Sequence, residues 1–250
     1  MKRRRFLTQG MVAAGAASIG GGTQAAAEGA SSAGDYGSRR PGFKKGSRLL
    51  FQGDSITDMN WGRDQKDRNH YLGHSYVFLL AARLGVDMPE LQLDFYNRGR
   101  SGHTVADLRK RWQAEAVDMK PDLLSVLIGT NDAAKEVHPD DYERDYRFIL
   151  GESRKANPEL RVVLMDPFVV RAGKYADEDR FSKHRALVEK YAVIVERIAK
   201  DHDAVHIKLQ EVFDAAAEKV SPQHWIWDGI HPLPQGHELI ARQWLSAVSG

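Results

Sequence analysis

The 250-residue chain contains no cysteine. Disulfides and an N-terminal lipoprotein anchor are therefore excluded, and the fold has to be held by its core. No stretch is apolar and long enough to span a membrane: the longest candidate, Met11 to Gly20, is short and rich in glycine and alanine. There is no internal repeat, and no basic stripe of the kind that nucleic-acid binding needs. Histidines are present, but without His-x-His or His-Glu-x-x-His spacing. A metal set would have to be assembled from Asp54, His103, Asp228 and His231, which that spacing does not support.

What is there begins with a leader. Lys2-Arg3-Arg4-Arg5-Phe6-Leu7, then an Ala/Gly-rich apolar run, then Ala25-Ala26-Ala27 read as a twin-arginine-type signal peptide over residues 1–27. This implies export to the periplasm or medium. The leader holds four of the 36 basic residues and none of the 34 acidic ones. Without it the remainder has 32 basic residues, so its formal charge is −2 instead of +2. Residues 28–46, rich in Gly, Ser and Ala, read as a flexible linker. A single domain is expected from 47 to 250, long enough for one core.

That domain alternates short apolar runs with amphipathic ones. Strands are expected at Arg48–Gln52, Leu91–Asn97, Asp122–Ile128, Leu160–Met165 and Ala204–Ile207. Helices are expected at Leu72–Leu84, Thr104–Val117, Pro139–Ala156, Phe181–Asp201, Gln210–Glu218 and Pro234–Val248. Such alternation predicts an α/β fold, a parallel sheet with helices on both faces. The carboxyl ends of its strands then share one edge, where ligands bind in open α/β sheets.

Four loops at that edge carry chemistry. Gly53-Asp54-Ser55 follows the first strand and leaves a serine hydroxyl at a tight turn. A lone serine is a weak nucleophile and needs a base with an orienting group. Asp228-Gly229-Ile230-His231 supplies both: the spacing lets the Asp228 carboxylate reach back to His231 Nδ1 and leaves Nε2 for Ser55. Asn97-Arg98-Gly99-Arg100-Ser101-Gly102 and Gly129-Thr130-Asn131-Asp132 follow the second and third strands. An oxyanion formed by attack on a carbonyl needs N–H donors. The backbone N–H of Gly99, the side-chain amide of Asn131 and the N–H of Ser55 itself are the candidates. Asp54 is read as a brace for the turn, since an aspartyl nucleophile would want Asp-x-Asp.

These four segments resemble the sequence blocks of the SGNH hydrolases, the GDSL esterase/lipase family, whose Ser, Gly, Asn and His match Ser55, Gly99, Asn131 and His231. The resemblance runs from about Leu49 to Leu245. It implies a three-layer α/β/α (flavodoxin-like) fold with a five-stranded parallel sheet, and ester hydrolysis with neither metal nor cofactor. The wording of the first three blocks is most similar to carbohydrate deacetylases of the acetylxylan-esterase kind. The expected partner is thus an ester of a small molecule, oligosaccharide or polysaccharide. A lysophospholipase, thioesterase or arylesterase on the same fold stays open, as does a non-catalytic carbohydrate-binding protein.

Substrate contacts are less sharply marked. Trp61, Trp225 and Trp227 lie near the expected mouth, and indole faces suit sugar rings as well as cores. Trp61 and Trp225 are the preferred candidates, with His103 as a further contact. The loop from Asp58 to His70 is polar and no apolar segment resembles a lipase lid, which favours a short acyl group. Arg98 and Arg100, flanking Gly99, either bind an acidic sugar such as a uronate or face solvent.

Overall fold

In a computed structural model of the chain, residues 41–249 are described. The signal-peptide reading and most of the expected linker lie outside them. Five strands, β1 (Arg48–Gly53), β2 (Asp94–Gly99), β3 (Leu123–Leu127), β4 (Arg161–Met165) and β5 (Val205–Ile207), form one all-parallel sheet in the order β2-β1-β3-β4-β5. Nine α-helices are described: α1 (Ser55–Asp58), α2 (Tyr76–Asp87), α3 (Val105–Trp112), α4 (Thr130–Ala134), α5 (Pro139–Ala156), α6 (Glu178–Asp201), α7 (Leu209–Lys219), α8 (Pro222–Trp225) and α9 (Pro234–Ser249). Among them, α2 packs on α9, while α3 packs on α5 and α5 on α6.

Sequence and sheet position agree strand by strand. β1, β3 and β4 are runs of apolar residues and almost wholly buried, as central strands of a parallel sheet must be. β2, at one edge, alternates buried and half-buried positions. Register then aligns the carboxyl ends: Gly53 lies opposite Gly99 and Leu127, and Leu127 opposite Met165. The strand order reverses direction at β1, next to β3, so the loops after these two strands flank the crevice where such sheets bind ligands.

Three boundaries move for identifiable reasons. Pro89–Leu91 forms a 3₁₀ turn closed by a left-handed Gln92, so β2 starts three residues later than expected and runs on to Gly99. Ser75 caps α2 through the Val77 N–H, and Gly73 sits at φ +66°, so that helix begins at Tyr76 and not Leu72. Thr104 and Asp107 form a reciprocal capping box that starts α3, whose end widens into a π turn at Gln113–Val117. The last part of the expected linker also packs. The Arg161 guanidinium lies 5.2 Å from the centre of the Phe43 ring, and Gly46 N–H donates to Leu91 O at 2.7 Å. Ordered structure therefore starts before Ser47.

Candidate active site

Ser55 opens α1 directly after β1, so its Oγ stands at the sheet edge while its own N–H has no partner among the described residues. Asp54 Oδ1 accepts the Ile56 N–H at 3.0 Å and fixes this turn. The other participants arrive from the far end of the chain. An antiparallel bridge between Ile226 and Pro232, closed by Leu233 N–H to Trp225 O at 2.8 Å, shapes the loop that carries Asp228 and His231. Gly229, at φ +95°, lets that loop lie against the segment after β4, where its carbonyl accepts the Val170 N–H at 2.9 Å.

The result is a continuous chain of contacts. His231 Nε2 is 2.8 Å from Ser55 Oγ, and His231 Nδ1 is 2.8 Å from Asp228 Oδ2. Asp228 Oδ1 also accepts the backbone N–H groups of Ile230 (3.0 Å) and His231 (2.8 Å). Burial by itself raises the Asp228 carboxyl. The His231 ring and these two N–H groups outweigh that and hold it well below the usual carboxylate range. An ionised carboxylate only accepts hydrogen bonds, so Nδ1 carries the imidazole proton and Nε2 is left as the acceptor for the serine O–H. Asp228 and His231 thus bond to each other, and among the described residues no three His, Asp or Glu side chains converge as a metal cluster.

Of the two other expected donors, Asn131 has an amide hydrogen to spare and Gly99 does not. Asn131 Nδ2 donates one hydrogen to His103 O at 3.0 Å, which leaves the second N–H free. The Gly99 N–H is already taken by Asn97 Oδ1 at 2.9 Å, and its carbonyl accepts from Trp61 Nε1 and Arg63. A Cβ at Gly99 would lie 2.4 Å from Asp58 N, so this glycine lets α1 sit against β2. Gly99 was the expected donor, but as the last residue of β2 its N–H is engaged by the Asn97 side chain. The free N–H in this loop belongs to Gly102, one residue before the carbonyl that holds Asn131, at φ +80° and in open space.

Buried carboxylates hold these loops in place: Asp54 is the brace expected from the sequence, while the parts of Asp58 and Asp132 were not. Asp58, 1% exposed, accepts Ser101 N–H and Ser101 O–H, each at 2.9 Å, and Arg63 at 2.6 Å. Asp132 accepts the Val105 N–H that starts α3 (3.1 Å). Burial pushes the Asp54 carboxyl up to about 6 and, with the nearby Asp54 charge adding to it, that of Asp132 up to about 7. The signal was present in Gly-Asp-Ser-Ile-Thr-Asp and Gly-Thr-Asn-Asp, where acids at fixed positions accompany each reactive residue.

The expected substrate contacts fare differently. Trp61 is 6% exposed, donates to Gly99 O at 2.9 Å and has the guanidinium groups of Arg63 and Arg98 each 4.8 Å from its ring centre, so it is not open to a sugar. Trp225 is half-buried, with Nε1 on Ala216 O at 3.1 Å. His103 is half-buried, its Nδ1 accepting from Arg111 Nε at 3.3 Å. The indole that does stand free is Trp227, 61% exposed beside Asp228. Arg100 pairs with Glu115, and Arg98 donates to Asn97 O at 2.7 Å, so neither offers an unencumbered cation.

Comparison with known proteins gives the family of the chain. Residues 51–239 match the GDSL-like Lipase/Acylhydrolase family. The chain is 31% identical over 215 residues to an acetylxylan esterase from Geobacillus stearothermophilus, covering 81% of this chain and 94% of that protein. The crystal structure of that organism's acetylxylan esterase Axe2 superposes with a TM-score of 0.72 at 30% identity, over 83% of this chain and 96% of its own. An alpha/beta hydrolase from the metagenome of Lake Arreo, Spain, gives 0.73 at 31% identity, over 82% and 96%. Catalytic mutants of Axe2 with a serine or an aspartate replaced by alanine have also been crystallised. The present chain belongs to the GDSL-like lipase/acylhydrolase (SGNH) family and is a carboxylic ester hydrolase.

Proposed function

We propose that the chain is an exported serine esterase that removes short acyl groups, acetyl foremost, from carbohydrates. The observation that carries this reading is the unbroken Asp228–His231–Ser55 chain, with 2.8 Å at each link. Ser55 Oγ attacks the acyl carbonyl carbon while His231 Nε2 takes its proton. The N–H groups of Ser55 and Gly102 and the free amide hydrogen of Asn131 stabilise the tetrahedral oxyanion. Collapse breaks the acyl carbon–oxygen bond to the sugar, whose oxygen takes the proton from His231 and leaves as a hydroxyl. Water, deprotonated by His231, then attacks the acyl-serine; the carboxylic acid leaves and Ser55 is restored.

The polar rim supports a short acyl group. Arg63 pairs with Asp58 across the loop after α1, and further along it Asp67 accepts from His70. The acetylxylan esterase relative supports a sugar alcohol. The test is acetate release from acetylated xylooligosaccharides, with p-nitrophenyl esters of increasing chain length alongside. Ser55→Ala is expected to reduce turnover by roughly 10⁴–10⁶-fold while the circular dichroism spectrum is kept. Turnover that rises with acyl length beyond butyrate would displace the acetyl assignment, and Ser55→Ala with near-normal turnover would remove the serine mechanism.

A further inference from the structure

A cavity of about 490 Å³ opens between the end of α4, the turn at Gly173–Tyr175 and the start of α6. That is within the range of about 300–1,000 Å³ for small-ligand sites. It lies beside the candidate active site. α4 also carries Asn131, and Lys174 Nζ lies 3.7 Å from Asp228 Oδ2. Gly173 allows this closeness, since a Cβ there would stand 2.4 Å from Asp228 Cα.

The lining is basic on one side and suited to a ring on the other. Lys174, Arg180 and Lys183 face Glu136, which pairs with Lys183 at 2.5 Å. The Arg180 guanidinium donates to the Lys174 carbonyl at 3.3 Å and has no carboxylate partner among the described residues. Beneath them lies His184, 6% exposed, with Nδ1 3.3 Å from the Tyr175 hydroxyl. Its Nε2 is buried and without a hydrogen-bond partner. Tyr175 and Leu187 complete the wall.

We propose that this cavity is a subsite for a uronic-acid residue of the substrate, with its carboxylate on Arg180 and Lys174 and its ring against the wall formed by Tyr175 and Leu187. The inference rests on the carbohydrate-ester reading of the neighbouring serine. A guanidinium fork matches the planar carboxylate. Glu136 and Asp228 flank the same cations, so a dianionic phosphate meets more repulsion here than a monoanionic uronate. The esters favoured are then those on acidic, uronosyl-bearing glycans.

The experiment compares kcat/KM on an acetylated xylooligosaccharide with and without a glucuronosyl branch, using the full-length protein and its Arg180→Ala and Arg180→Lys variants. The branched substrate is expected to be preferred about tenfold at low salt, with the preference shrinking as sodium chloride screens it. Arg180→Ala should remove the preference and Arg180→Lys should keep part of it. Binding is read separately by calorimetric titration of the Ser55→Ala protein with D-glucuronate, D-glucose and inorganic phosphate. Glucuronate alone is expected to bind, and this arm stands even if no ester is turned over. Equal kcat/KM on both substrates, glucose binding as well as glucuronate, or binding of phosphate only would each overturn the subsite.

Discussion

The two flanks of Ser55 are built on different principles. On the β2 side, buried carboxylates each take up specific donors: Asp54 the Ile56 N–H, Asp58 the Ser101 loop, Asp132 the start of α3. On the Asp228 side, outward of the triad, the groups are exposed and lightly tethered: Trp227 is open and Lys174 is 45% exposed at the cavity mouth. The first flank fixes geometry for chemistry that varies little between ester substrates. The second meets the variable part of the substrate. Substitutions on the first flank should therefore act on kcat and folding, and those on the second on KM.

The largest effect expected after loss of the nucleophile is on the oxyanion donors. Asn131→Ala removes the side-chain donor and should lower kcat about 10²–10³-fold, roughly 2.7–4 kcal/mol of transition-state stabilisation. Steady-state kinetics on p-nitrophenyl acetate measure this. A fall in kcat below tenfold would place the oxyanion elsewhere. The two glycines of the same loop sharpen the point. Gly99→Ala forces a Cβ against the Asp58 backbone and should lower the melting temperature by several degrees. Gly102→Ala meets open space but a positive φ, so it should disturb turnover more than folding. The reverse pattern would return the donor role to Gly99.

The buried acids make a pH prediction with a definite sign. Asp54 and Asp132 have folded-state values of about 6 and about 7, above the ordinary 3.8. The folded protein therefore holds these protons more tightly than the unfolded chain. Their contribution to stability is complete below about pH 4 and is lost as pH rises through about 6 to 7. Both shifts have the same sign, so the two acids act in the same direction. Calorimetric melts from pH 4 to pH 8 should fall across that window in the wild type. The slope should be shallower in Asp54→Asn/Asp132→Asn; identical slopes would mean that neither acid titrates there.

The same contrast explains what could be read from the chain. The central strands were legible because parallel strands buried on both faces must be continuous apolar runs, as Leu49–Phe51 and Leu123–Leu127 are. Asp228 and His231 were legible because three-residue spacing is itself a geometric statement. Gly99 and Gly102 could not be told apart in the sequence because both stand in one short segment, and only the local turn, in which Asn97 Oδ1 accepts the Gly99 N–H, shows which N–H is spent. α1, α4 and α8 escaped because four or five residues show no periodicity. The cavity at Lys174 escaped for a deeper reason: its residues come from α4, the turn after β4 and α6, with no spacing to link them.

Trp227 tests the outer flank with the smallest expected effect. It follows the Ile226 bridge residue and precedes Asp228, so its backbone is fixed by the loop while its indole stands clear. Because that face is exposed, its removal leaves no cavity and should shift the melting temperature little. An aromatic face lost from a sugar contributes on the order of 1 kcal/mol, so Trp227→Ala should raise KM for acetylated xylooligosaccharides by about three- to tenfold. The change in kcat should be smaller, since the Asp228–His231–Ser55 distances do not depend on the indole. Equal losses in kcat and KM would instead mean that Trp227 holds Asp228 in place. It would then belong with the carboxylates of the inner flank, and the division between the two sides of Ser55 would fail at that residue.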